Sequence, residues 1–107
     1  MIWTYTRGAE LPSITIDALD TNGLPIDFST GWTFSVKVGE PGKTAVATAA
    51  TVTGASSKPN LTIDWPPDAL SALVVGVTYT VQLTATLTLT SQDRIYTTQV
   101  RVVDAVL

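Results

Sequence analysis

Residues 77–89 alternate without a break. Val77, Tyr79, Val81, Leu83, Ala85, Leu87 and Leu89 share one parity; Thr78, Thr80, Gln82, Thr84, Thr86 and Thr88 share the other. A period of two puts each set on one face of an extended strand, whereas a helix would scatter both around its circumference. Threonine is β-branched and fits the solvent side of a pleated surface. A chain with a run of this length must build a half-buried sheet around it.

The same alternation recurs in shorter runs. Ile14, Ile16 and Ala18 alternate with Thr15 and Asp17, and Phe34, Val36 and Val38 with Thr33, Ser35 and Lys37. Leu61, Ile63 and Trp65 alternate with Thr62 and Asp64, and Tyr96, Thr98, Val100 and Val102 with Thr97, Gln99 and Arg101. Residues 2–6 and 46–52 are weaker strand candidates. Turn chemistry separates the runs: Asp20-Thr21-Asn22-Gly23, Gly39-Glu40-Pro41-Gly42, the polar loop 54–60, and Ser91-Gln92-Asp93 between the two longest strands. Residues 66–73, beginning Pro66-Pro67-Asp68, read as a short helical turn with Asp68 near its start. About seven short strands at this spacing, with no long helix, predict an all-β, immunoglobulin-like antiparallel β-sandwich. The 107 residues make a single domain, with 1–12 as an N-terminal arm or edge strand.

Composition narrows the chemistry. The chain has no cysteine and no histidine, which removes thiolates, disulfides, the usual neutral-pH base and the commonest metal ligand. Its six basic residues, Arg7, Lys37, Lys43, Lys58, Arg94 and Arg101, are scattered and outnumbered by nine acidic ones. Nucleic-acid binding needs a clustered basic footprint, so no nucleic-acid partner is expected. Residues 1–7 lack the pattern of a secretory signal, and no apolar stretch approaches the ~20 residues of a membrane-spanning helix. No membrane partner and no cofactor are expected.

Three groups of residues are candidates for a site. Asp17 and Asp20 flank the Asn22-Gly23 turn as calcium-type oxygen ligands would, but fall short of a calcium loop, and turns favour the same residues. Asp64 and Asp68 bracket Trp65-Pro66-Pro67; a carboxylate pair beside an aromatic suits glycoside hydrolysis, yet one reads as an outward strand residue and the other as a cap. The expectation is therefore no enzyme, no metal site and no small-molecule substrate. The third group is aromatic. Trp3, Tyr5 and Trp32 are candidate partner-docking residues, with Trp3 and Tyr5 on one face of the terminal strand, packing on their own domain or on a neighbour. The threonine-rich, charge-poor strand faces suit burial between subunits or plain solvation.

Two stretches bear a family resemblance. The run Ile14-Thr15-Ile16-Asp17, then Asp20-Thr21-Asn22-Gly23-Leu24-Pro25, then Asp27-Phe28-Ser29-Thr30-Gly31-Trp32-Thr33-Phe34-Ser35-Val36, resembles a strand, a D-x-x-G-x-P turn and a D-L-[ST]-G-like step into an apolar strand. Phe28 stands where leucine is usual, with one extra residue before the glycine. Further on, Trp65-Pro66-Pro67-Asp68-Ala69-Leu70 and Gly76-Val77-Thr78-Tyr79-Thr80-Val81-Gln82-Leu83 resemble a helical turn and a G-x-[TY]-Y strand, and residues 93–102 the closing hairpin. Together these resemble the small immunoglobulin-like domains of tailed-phage structural proteins, with the N-terminal domain of the phage baseplate upper protein family the nearest, over most of residues 13–104. The resemblance implies a non-enzymatic virion protein of tail, baseplate or head, made in the bacterial cytoplasm. Its implied partners are other virion proteins or further copies of itself. The competing reading is a module that binds carbohydrate or a host surface through aromatics and the 54–60 loop.

Overall fold

The structure, a computed structural model, describes residues 2–6, 13–40, 42–46, 50–66 and 72–103. Seven strands form among them: β1 (Ile2–Thr6), β2 (Ile14–Ile16), β3 (Trp32–Gly39), β4 (Thr51–Gly54), β5 (Leu61–Asp64), β6 (Thr78–Leu87) and β7 (Gln92–Val103). They make two sheets, ordered β1-β7-β6-β3 and β2-β5-β4. The fold is all-β, a β-sandwich, with no helix among the described residues. The helical turn expected at 66–73 lies mostly outside them.

The alternation sets which face is buried. In the four-stranded sheet Val36, Val38, Tyr79, Val81, Leu83, Ala85, Val100 and Val102 point inward and are buried. Ile14, Leu61 and Ile63 of the three-stranded sheet meet them in one core. Each such valine, leucine or isoleucine, fully buried, contributes about 1.5–3 kcal/mol, so the alternating runs carry the stability of the fold. The outer face of the large sheet keeps the threonines. There, in-register partners bond across the strands: the Thr86 hydroxyl donates to Asp93 (2.7 Å), and the Arg101 guanidinium donates to the Thr78 hydroxyl (2.8 and 3.1 Å).

The pairing departs from the antiparallel expectation at one place. β1 runs parallel to β7, with Ile2 opposite Gln99 and Thr6 opposite Val103. First and last strands need no tight hairpin between them, because the rest of the domain is their crossover. Two strand boundaries also move. β6 ends at Leu87, where the Ser91 amide donates to the Leu87 carbonyl (2.8 Å) and closes the turn; Gln92 and Asp93 already belong to β7. The 46–52 candidate becomes β4 at 51–54, because the Val46 amide is taken by the Val38 carbonyl (2.7 Å) at the edge of β3.

Ser91 has φ +56°, the left-handed region that costs a non-glycine residue about 1–2 kcal/mol. Ser91→Gly is therefore expected to raise the midpoint of thermal unfolding by about 3–6 °C. A calorimetric scan showing no rise would mean that the serine side chain supports the turn.

One local and two long-range bonds lock the other end of the sandwich. The Tyr79 hydroxyl accepts the Val74 amide (2.9 Å), and the Gly76 amide donates to the Val102 carbonyl (2.9 Å). Across the core, the Trp65 indole Nε1–H donates to the Tyr5 hydroxyl (3.1 Å). Burial raises the Tyr5 phenol above its ordinary pKa, and the Trp65 bond offsets part of that rise. The neutral phenol is thus the form the fold prefers. Its contribution is full below about pH 10 and is lost as pH rises through the higher folded value. Tyr5→Phe is expected to cost about 1 kcal/mol at pH 7, with the gap to wild type narrowing above pH 10. Paired urea titrations at pH 7, 9 and 10.5 measure this; a gap independent of pH would refute it.

Candidate interaction surface at one end of the sandwich

Strand direction gathers three connections at one end. β2 and β4 run into it, β5 starts from it, and so do β3 and the β6–β7 turn. The β2–β3 connection (17–31), the β4–β5 connection (55–60) and the β6–β7 turn (88–91) therefore share that end. Loops carried on a rigid sandwich are where such folds place their binding residues.

The three connections are bonded to one another. Asn60 is fully buried, and its side-chain amide spans two segments of the long connection. Its Oδ1 accepts the Ala18 amide (2.8 Å), while Nδ2 donates to the carbonyls of Ala18 (2.7 Å) and Ile26 (2.8 Å). The Phe28 amide donates to the Ala55 carbonyl (3.1 Å). The Thr88 amide and hydroxyl both donate to the Gly31 carbonyl (3.0 Å each). Every element at this end is thus held by at least one other.

Local chemistry shapes the long connection. Leu19 bridges to Pro25, and between them the Asp20 amide donates to the Leu24 carbonyl (2.8 Å). The Asp20 carboxylate accepts the amides of Asn22 (2.8 Å) and Leu24 (3.0 Å), and Gly23 supplies φ +79°. Asp27 does the same further on, accepting the Ser29 amide (2.9 Å) and hydroxyl (2.5 Å). Those two bonds hold its carboxyl below the ordinary range, so it stays ionised.

An aromatic plug seats this connection on the large sheet. Phe28 is buried and meets Trp32 (4.8 Å between centroids), Phe34 (6.1 Å) and Tyr96 (6.3 Å), all edge-on. Gly54 makes room for it, since a Cβ there would lie 2.2 Å from the Phe28 carbonyl oxygen. The Trp32 indole Nε1–H donates to the Asp27 carbonyl (3.1 Å), which fixes the partly buried ring.

The three aromatic candidates from the sequence do not converge. Tyr5 is 3% exposed and sits in the chain's own core, and Trp3 packs partly buried against the same core. Trp32 begins β3, at the opposite edge of the four-stranded sheet from β1. The Asp17 and Asp20 candidates fall on the long connection, where Asp20 shapes the turn. Among the described residues no group of three or more acidic side chains could hold a metal ion. Asp64 accepts the Ser13 hydroxyl, and its proposed partner Asp68 lies outside the described residues.

Sequence reasoning missed two residues that matter here. Asn60 reads as a polar loop end, yet it is the buried tie between connections. Leu89 reads as the last inward residue of a long strand, yet it stands 89% exposed at the β6–β7 turn. The only hint at Asn60 was its place directly before an apolar strand. No family model matches the chain, and searches of curated proteins and of solved structures return no match.

Proposed function

We propose that this chain is a non-enzymatic structural protein of a tailed-phage virion that works through protein–protein contacts, with the bonded loop end as its contact surface. The observation that carries the choice of contact surface is the bonding of the three connections to one another through Asn60, Phe28 and Thr88. A surface ordered before binding loses less entropy on contact.

The framework supports the immunoglobulin-like part of the reading. Tyr79 stands near the start of the strand after the long sheet-to-sheet connection, and its hydroxyl returns to the Val74 backbone. Immunoglobulin-like sandwiches carry a tyrosine corner at that position. The virion assignment itself rests on the sequence resemblance.

The test is quantitative mass spectrometry of purified particles of the phage that encodes the chain. The expected result is the chain in intact particles at a copy number matching tail or head symmetry. Its absence from particles, with a lone monomer in light scattering, would overturn the proposal. Saturable binding of that monomer to a glycan would then favour the carbohydrate reading.

A further inference from the structure

The loop end carries exposed apolar side chains that its own fold does not use. Leu89 is 89% exposed, Leu24 60% and Leu19 42%, one at the β6–β7 turn and two on the long connection. None is a frayed end. Leu89 lies between Thr88, bonded twice to Gly31, and Ser91, held in the left-handed region by a bond to Leu87. Leu19 and Leu24 flank the turn that Asp20 organises. A turn bonded on both sides of an exposed leucine, by Thr88 before it and Ser91 after it, has the form of an anchor for a pocket elsewhere.

Charge selects the pocket. The same connections carry Asp17, Asp20 and Asp27, all exposed, against Lys58 alone: three carboxylates, one ammonium. Asp93 and Arg94, at the start of β7, cancel each other in charge. A second copy docked end to end would set carboxylates against carboxylates, which a complementary interface avoids.

We propose that this end docks on a protein surface with an apolar pocket rimmed by lysine or arginine, with Leu89 as the anchor. This rests on the protein–protein reading above and adds the residue and the character of the partner.

The experiment places a benzophenone-bearing phenylalanine at position 89 or, separately, at position 97 on the outer face of β7, in the full chain within the cells that make it. Cross-linked products are identified by mass spectrometry. The cross-linked partner is then purified, and its affinity for wild type and for Leu89→Ser is measured at 50 and 200 mM salt. The expected result is one heterologous cross-link from position 89 and none from position 97. Leu89→Ser should weaken binding at least tenfold with unchanged thermal stability, and wild-type affinity should fall at the higher salt. Cross-links from position 97 alone would overturn the anchor and leave the protein–protein reading standing. So would self-cross-links alone, a change under twofold for Leu89→Ser, or salt-independent affinity. No cross-link from either position would overturn both.

Discussion

Phe28→Ala is expected to destabilise the chain by about 3–5 kcal/mol, a large share of the 5–15 kcal/mol that holds a domain of this kind together. Phe28 is the one large buried side chain supplied by the long connection to the inner face at the loop end. Its ring meets one aromatic after another on both β3 and β7: Trp32, Phe34 and Tyr96. Alanine would leave a cavity lined by those rings, while its backbone and Cβ would still pack on Gly54. The surroundings cannot close it cheaply, because the Phe28 backbone is tied to Ala55. Guanidinium denaturation should show the midpoint falling with little change in slope. Phe28→Leu, which restores most of the volume, should recover more than half of the loss. A cost below about 1 kcal/mol for the alanine variant would mean that the plug is not what seats the connection.

Asn60→Ala is expected to cost about 3–4 kcal/mol, more than its small size suggests. The substitution removes few apolar atoms, so packing is a minor part of the effect. It takes the Asn60 partner from the Ala18 amide and the Ile26 carbonyl, in a site where Asn60 itself is fully buried, while the Ala18 carbonyl keeps the Ile26 amide (3.1 Å). Each orphaned buried group costs about 1–3 kcal/mol, with entering water offsetting part. Asn60→Asp separates this account from a volume effect. The carboxylate can still accept the Ala18 amide but turns a negative oxygen toward two carbonyls. Its destabilisation should therefore be large at pH 7 and shrink as pH falls, since a protonated carboxyl can donate once. Urea titrations at pH 7 and pH 4, each referred to wild type at the same pH, give the comparison. Equal losses at the two pH values would sink the hydrogen-bond explanation. Both variants should also loosen the 17–31 connection, visible as faster amide exchange at Ala18.

The sheets were legible in the sequence because a strand's period of two is a local property. Once one face of residues 77–87 must be buried, parity alone assigns every side chain to core or solvent, and the same holds for 33–38, 61–65 and 96–102. Turn residues such as Asp20 and Gly23 were legible for the same reason: their bonds close within a few positions. What parity cannot express is where alternation stops. Leu89 continues the pattern of Leu87 perfectly, and only the bond from Ser91 to Leu87 and the tie of Thr88 to Gly31 turn the chain before it.

The bonded loop end was not legible, because it is made of contacts between residues far apart in the chain. Asn60 lies 42 positions from Ala18, and Thr88 lies 57 from Gly31. The sequence by itself determined an all-β chain, the buried parity of its main strands and the chemistry of its turns. The tertiary structure decided that β1 joins β7 in parallel, that Tyr5 is a core residue, and that three connections meet at one end. The division follows from range: burial parity is written in each strand, but the partner of a buried amide exists only once the sheets have packed.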